Sequence, residues 1–80
     1  MERKDVLQKL TIIFRDVMDN ERIILSDETK GEDIDGWDSL AYVQIVAAIG
    51  EIFKVKLSAK EMILCENVGE IVDVIEKKLV

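Results

Sequence analysis

A single serine stands where an acidic segment gives way to a long apolar run, in Asp35-Gly36-Trp37-Asp38-Ser39-Leu40. The Ser39 hydroxyl is the chain's candidate site of chemistry. The simpler interpretation is structural, because Ser39 or Asp38 could cap a helix by accepting backbone N–H groups of its first turn. Asp-Ser-Leu is common by chance, so these residues alone favour the helix cap.

The rest of the chain offers Ser39 no partner for catalysis. The sequence has no histidine and one cysteine, Cys65, so neither a Ser-His-Asp nor a Cys-His arrangement can form. The same composition provides no ligand set for the usual zinc sites. Carboxylates occur close together only in a polar segment, where a solvated loop is a better interpretation than a catalytic pair. We therefore predict that the protein is not an enzyme.

Calcium binding is the other chemistry that the acidic segment suggests. With Gly36 at the sixth position of an EF-hand loop, Asp33 and Asp35 fall at the third and fifth positions. Gly31 and Tyr42 then occupy the first and twelfth positions, where acidic ligands are needed. The sequence therefore predicts no EF-hand and leaves open only weak divalent-ion binding by these carboxylates.

The acidic residues are concentrated between residues 16 and 38, where nine of them face only two basic residues, Arg22 and Lys30. The acids are Asp16, Asp19, Glu21, Asp27, Glu28, Glu32, Asp33, Asp35 and Asp38. One interpretation is a solvated loop. The other is a docking surface that steers basic partners by its long-range field, and the sequence leaves both open.

Charge and composition limit the remaining partners. The formal net charge of −6 over 80 residues provides no basic face for nucleic acid. No window approaches the eighteen or so apolar residues of a membrane-spanning helix, so we expect no membrane insertion. The lone Cys65 excludes an internal disulfide framework and favours a reducing cytoplasm. We expect a monomer.

The elements that must position Ser39 are predicted to be helices of a single all-α domain, residues 1–80. Apolar residues recur every three or four positions near the N-terminus, at Val6, Leu10, Ile13 and Val17. This spacing predicts a first amphipathic helix over roughly 3–18. A loop of about twenty residues follows, and loops of that length are usually functional. We expect it to be ordered, with a short helical turn, because its apolar members should fold over the helix ends. These are Ile23, Ile24, Leu25 and Ile34.

The second predicted helix, residues 39–53, is apolar around most of its circumference. One buried stripe cannot use all of these side chains, so the helix either is central or presents an apolar strip outward. Tyr42, Val43 and Val46 are therefore open between core packing and a partner or ligand surface.

Two further helices are predicted from their starting signals. Ser58 and Glu61 have the spacing of a capping box, which begins a short third helix ending near Leu64. Asn67 offers a similar start for a final helix. The whole is a four-helix bundle with three longer helices, one short helix and a long ordered first loop.

The stretch Gly36-Trp37-Asp38-Ser39-Leu40, followed by Val43, Ile45, Val46, Ile49 and Phe53, resembles the acyl carrier proteins. The resemblance covers almost the whole chain, in the order amphipathic helix, acidic loop, Asp-Ser-Leu, apolar helix, short helix, final helix. It implies that a phosphopantetheinyl transferase attaches a 4'-phosphopantetheine arm covalently to Ser39. It also implies that Asp38 and Leu40 are flanking residues that the transferase and later partners touch.

The resemblance implies a carrier function. Acyl groups would be held as thioesters on the arm and delivered to acyl-loading, acyl-modifying and acyl-transfer enzymes of fatty-acid, polyketide or other specialised biosynthesis. Trp37 is expected to lie on the bundle and close the loop rather than to contact the arm. Cys65 is either a small buried apolar residue or, as the resemblance implies, a neighbour of the arm and acyl pocket.

The chain also departs from the carriers of general fatty-acid synthesis. Trp37 stands where a small residue is usual, and Glu51 is the only acid in a second helix that is usually acidic. Met62, Ile63 and Leu64 replace a more acidic stretch. These departures predict a discrete, specialised carrier. The alternative function is a cofactor-free acidic helical module that binds a basic protein.

Overall fold

The computed structural model describes residues 2–34 and 36–79, and this part of the chain forms helices and loops without strands. The helices are α1 (Arg3–Val17), α2 (Ser39–Phe53), α3 (Ala59–Ile63) and α4 (Val68–Leu79), with a 3₁₀ turn at Gly31–Asp33. The predicted all-α bundle of three longer helices and one short helix is confirmed. Met18 and Leu64, predicted as the last residues of their helices, are instead the C-caps of α1 and α3. Asp35 lies outside the described residues.

One apolar core joins the helices, with α1 packed against α2 and α4, and α3 packed against α2. Its most deeply buried side chains are Val6, Leu10, Phe14, Ile45, Ile49, Val72 and Ile75, which have no exposed surface. Burying such a side chain contributes roughly 1.5–3 kcal/mol. None of the helices in residues 2–79 that the structure describes is long and apolar enough to cross a membrane.

The described part of the loop between α1 and α2 is folded onto this core. Ile23, Leu25 and Ile34 are buried, as predicted. The same prediction was wrong for Ile24, which is 80% exposed. Successive side chains of an extended segment point to opposite faces. Because Ile23 and Leu25 both point toward the core, Ile24 between them points to solvent.

Arg3 ties the N-terminus of α1 to the loop and to α4. Its guanidinium donates hydrogen bonds to Asp73 (2.6 Å), Glu76 (2.7 Å), the Gly69 carbonyl (3.1 Å) and Asp27 (3.3 Å). The hydrogen bond to Asp73, with those to Asp27 and Glu76, raises the pKa of Arg3 above its ordinary value. Arg3 therefore stays charged and fixes three segments that are far apart in sequence.

The two predicted helix starts are also confirmed. The Ser58 hydroxyl accepts the Glu61 N–H (3.1 Å) while the Glu61 carboxylate accepts the Ser58 N–H (3.1 Å), which is a reciprocal capping box. Asn67 caps α4 by accepting the Glu70 N–H at 2.9 Å. Both motifs satisfy backbone donors that a helix cannot pair internally.

Candidate functional site

The start of α2 shows that Asp38, and not Ser39, caps this helix. Asp38 has an extended backbone, and its carboxylate accepts the Ala41 N–H at 2.9 Å. Its carbonyl accepts the Tyr42 N–H at 3.1 Å, which is the first helical hydrogen bond. Ser39 is the first helical residue and is exposed. The capping role that competed with an attachment role for Ser39 therefore belongs to its neighbour.

Trp37 holds the end of the loop against the bundle and so fixes where α2 begins. Its ring makes edge-on contacts with Phe14 and with Tyr42, each with 4.8 Å between ring centroids. Such pairs contribute roughly 0.5–1.5 kcal/mol beyond their buried area. Gly36, with φ of 83°, supplies the left-handed turn that leads into Trp37. The expectation that Trp37 lies on the bundle and closes the loop is confirmed.

The N-terminus of α2 suits a phosphate ester. The first N–H groups of a helix have no internal partner and carry partial positive charge, which favours a phosphate at this end. An ester on the exposed Ser39 hydroxyl would lie beside them. Because the chain contains no histidine, it offers no imidazole to accept the hydroxyl proton.

The outer face of α2 beside Ser39 is apolar. Leu40 is 65% exposed and Val43 57% exposed, and Ala47, one turn further on, is exposed as well. These three residues are spaced to share one helix face and are called the apolar strip below. Val43 thus belongs to the surface, whereas Tyr42 and Val46 are half-buried and pack against the core.

The short helix α3 continues the apolar surface character. Met62 is 1% exposed, whereas Ile63 and Leu64 are 62% and 70% exposed. Consecutive residues point in different directions around a helical turn, and Met62 is the one of the three that faces the core. Two of the three residues that depart from the more acidic pattern are therefore on the surface.

A small cavity lies beneath Trp37, between the loop, α2, α3 and the start of α4. Its volume is about 10 Å³, and its walls include Thr29, Trp37, Tyr42, Met62, Cys65 and Ile71. Trp37 and Tyr42 are each within three residues of Ser39 in the sequence. The cavity therefore adjoins the start of α2.

Cys65 is half-buried rather than fully buried, in the wall of this cavity. Its thiol donates a hydrogen bond to the Glu61 carbonyl at 3.3 Å. Burial raises the pKa of the Cys65 thiol, and the nearby carboxylates of Glu70, Glu61 and Asp73 raise it further. The thiol is therefore protonated at neutral pH and is a poor nucleophile.

The acidic residues of the run, apart from Asp35, are all exposed. Three of them have structural partners: Asp27 pairs with Arg3, Asp33 accepts the Lys30 N–H at 2.9 Å, and Asp38 caps α2. Within residues 2–34 and 36–79, no three His, Cys, Asp or Glu side chains are grouped to hold a metal ion. The run is thus partly a set of loop and helix anchors.

Two site features were missed by the sequence interpretation. The Arg3 cluster joins residues up to 73 positions apart, so no pattern of neighbouring residues in the sequence predicts it. The cavity beneath Trp37 depends on how the loop crosses α2 and α3. The uncommon Trp37 was a visible signal, but the sequence does not specify which residues it contacts.

Comparison with known proteins identifies the class to which this fold and site belong. The family model described as "Phosphopantetheine attachment site" matches residues 8–75. The solution NMR structure of holo acyl carrier protein from Geobacter metallireducens is 39% identical, with a TM-score of 0.83. That alignment covers 92% of this chain and 85% of the other. No curated protein sequence matches significantly.

The chain therefore belongs to the acyl carrier protein family, whose members carry a phosphopantetheine prosthetic group. Acyl carrier proteins are carriers and not enzymes, and they interact with a phosphopantetheinyl transferase and with acyl-processing enzymes. The alternative of a cofactor-free module is wrong, because the matched family is defined by attachment of this group.

Proposed function

We propose that Ser39 is the residue to which phosphopantetheine is attached, with Asp38 and Leu40 as flanking recognition residues. The observation that carries the proposal is the exposed Ser39 hydroxyl at the first residue of α2, released from capping by Asp38. An enzyme can approach this hydroxyl from solvent. The helix N-terminus then stabilises the negative charge of the phosphodiester.

The residues around Ser39 position the attachment point and leave the chemistry to partner enzymes. When bound, the prosthetic group supplies a terminal thiol on which acyl groups are carried as thioesters. Trp37, Asp38 and the helical hydrogen bonds of α2 fix the direction in which Ser39 projects. A fixed attachment point raises the effective concentration of cargo near a docked enzyme.

We propose that partner enzymes contact the apolar strip of Leu40, Val43 and Ala47 as well as the acids of the loop. The exposed side chains of α2 include one carboxylate, Glu51. A partner that binds only through basic residues would find few acids on this helix. Burial of Leu40 and Val43 on docking would instead supply affinity, while the acidic loop steers the encounter.

These surface properties support a discrete, specialised carrier that serves a dedicated pathway. Fatty-acyl, polyketide and aminoacyl cargo all fit the family, and intact mass of the protein from its native host would report the cargo directly. Three further points stay predictions. Residues 1–80 form one domain, the protein is a cytoplasmic monomer, and it binds no nucleic acid.

The attachment site is tested by adding a phosphopantetheinyl transferase and coenzyme A to the purified apo-protein. Intact mass should increase by one phosphopantetheine in the wild type and in Ser58→Ala, but not in Ser39→Ala. Ser58 is the matched control because it also lies at a helix start, where its hydroxyl is occupied as a cap. Modification of Ser39→Ala, or no modification of the wild type by several active transferases, would overturn the assignment.

The docking surface is tested with two substitutions at equally exposed positions. Val43 on α2 and Ile12 on α1 are both 57% exposed. Val43→Ser should lower the rate of transferase modification, whereas Ile12→Ser should leave it unchanged. Equal effects of the two substitutions would show that the apolar strip is not the contact surface.

A further inference from the structure

The indole N–H of Trp37 is buried and has no hydrogen-bond acceptor among residues 2–34 and 36–79. Buried donors in folded proteins are nearly always paired, because an unpaired donor has lost its water without gaining a partner. Trp37 Nε1 is the only buried side-chain nitrogen or oxygen in the described chain that lacks a partner. This donor therefore has an unused capacity for one hydrogen bond.

The same side chain forms part of the cavity wall next to the attachment point. Tyr42 lies beside it, with 4.8 Å between ring centroids. Met62, Val68 and Ile71 form the apolar part of the wall, and Thr29, Glu66 and Asn67 form its polar part. Ser39 is two residues from Trp37 and three from Tyr42 in the chain. The wall of this mixed polar and apolar cavity therefore includes residues within one helical turn of the proposed attachment point.

We propose that Trp37 Nε1 donates a hydrogen bond to an oxo or hydroxyl oxygen of the acyl cargo, so that Trp37 selects oxygen-bearing acyl groups over plain alkyl groups. This inference rests on the proposed attachment of the arm to Ser39. A saturated alkyl chain in the cavity would leave the indole N–H unpaired. An acyl group with an additional oxygen pairs it at no cost to the ring packing of Trp37.

Entry of cargo requires the cavity to open. Its 10 Å³ is close to the smallest space that holds one water molecule. Met62 is the wall residue best able to make room, because its unbranched side chain has three rotatable bonds. It is carried by α3, which is only five residues long. Trp37, held by Phe14 and Tyr42, stays in place as the fixed donor.

The test compares two four-carbon cargoes that differ in one oxygen. The transferase loads apo-protein with acetoacetyl-coenzyme A or with butyryl-coenzyme A, and intact mass verifies each loading. Because Trp37 is the only tryptophan, the ¹H–¹⁵N spectrum has a single indole signal to follow. We expect a downfield proton shift and slower solvent exchange with acetoacetyl cargo, and the signal of the unacylated holo-protein with butyryl cargo.

Equal indole signals for the two cargoes in verified loaded protein would overturn the role of Trp37 and leave the attachment proposal intact. Failure of loading itself would overturn the proposed function, and this inference with it. The two failures are distinguished by the intact mass.

Trp37→Phe provides a second measurement, because it removes the N–H and keeps an aromatic ring. The acetoacetyl thioester should hydrolyse roughly 2- to 10-fold faster on Trp37→Phe than on the wild type, as expected for loss of one hydrogen bond. The butyryl thioester should hydrolyse at the same rate on both. Ile12→Ala, at an exposed position on α1 outside the cavity wall, is the control and should change neither rate. A change of equal size for both cargoes would refute the selection.

Discussion

The starts of α2 and α4 have the same capping arrangement but opposite exposure. Asp38 and Asn67 each accept an N–H three residues further on, at 2.9 Å in both helices. After Asp38 the next two residues are exposed, whereas after Asn67 they are Val68 and Gly69, both buried. A cap signal in the sequence therefore identifies a helix start but does not show whether the first turn of that helix is exposed or covered.

The difference arises from what covers the first turn. At α4 the Val68 N–H donates to the Thr29 carbonyl (2.8 Å) and the Gly69 N–H to the Asp27 carbonyl (2.9 Å). The loop thus pairs the free donors of α4. At α2 the two residues that follow the cap, Ser39 and Leu40, are exposed. The start of α4 is thus closed by the loop, whereas the start of α2 is open to solvent, where we propose that the phosphate ester is attached.

The largest expected effect is at the closed start. A Cβ added at Gly69 would lie 2.9 Å from the Asp27 carbonyl oxygen and 3.1 Å from the Asp27 Cβ. Gly69→Ala must push the loop away and should lower the free energy of unfolding by roughly 2–3 kcal/mol, measured by urea denaturation. Gly50→Ala is the control: its nearest neighbour is 3.4 Å away, and it should stay within about 1 kcal/mol of wild type. Equal effects would show that the loop does not hold α4.

Removal of the two caps tests the difference between the starts of α2 and α4 directly. Asp38→Ala and Asn67→Ala should each lower the free energy of unfolding by about 1 kcal/mol, because each leaves one first-turn N–H without its acceptor. Only Asp38→Ala should also lower the rate of phosphopantetheine addition, since Asp38 adjoins Ser39. A similar loss of rate in Asn67→Ala would mean that stability, rather than recognition by the transferase, controls modification.

Loss of the Arg3 cluster should have a smaller effect on the closed start. The Arg3 side chain is 37% exposed, so screening limits its ion pairs, and Arg3→Gln should cost up to about 1 kcal/mol of unfolding free energy at low salt. The difference from wild type should shrink in high salt. Lys4→Gln is the control, because Lys4 is 81% exposed and its contact with Glu2 is 3.7 Å long. An equal loss for both variants would show that the ion pairs of Arg3 do not hold the start of α4.

The smallest effect concerns the start of α3, where the charged Glu61 carboxylate is part of the capping box. The Ser58 backbone N–H, followed by Lys78, lowers the pKa of Glu61 in the folded protein below the ordinary 4.5. The ionised carboxylate therefore stabilises the fold above pH 4.5, and this contribution disappears as pH falls through the lowered folded value. When the pH is lowered from 7 to below the pKa of Glu61 in the folded protein, the Tm of the wild type should fall further than the Tm of Glu61→Gln. Lys78→Gln should retain part of this pH dependence, since the Ser58 bond remains.

Local pattern predicted much of the helical structure. The spacing of Val6, Leu10 and Ile13 predicted the buried face of α1, and Ser58 and Asn67 predicted two helix starts. These features depend on residues within four or five positions of each other, so one sequence window contains the information. Ile24 shows the limit, because its exposure depends on how the loop meets the core.

The candidate site was also predicted only in part from the sequence. The order Gly36 to Leu40 at the start of an apolar helix was sufficient to indicate the family and the serine. It could not decide between Asp38 and Ser39 as the cap, or which side of α2 faces outward. Both depend on the direction in which the loop approaches α2, and Trp37 sets that direction by packing on Phe14.

By itself the sequence determined the helices, the acidic balance and the identity of the candidate attachment residue, because helical periodicity, net charge and short motifs are local or additive properties. Only the tertiary structure decided that Leu40 and Val43 are exposed, that Arg3 joins α1 to α4, and that the indole N–H of Trp37 is buried beside a cavity. These are contacts between segments distant in the chain, and their geometry exists only once the core has packed.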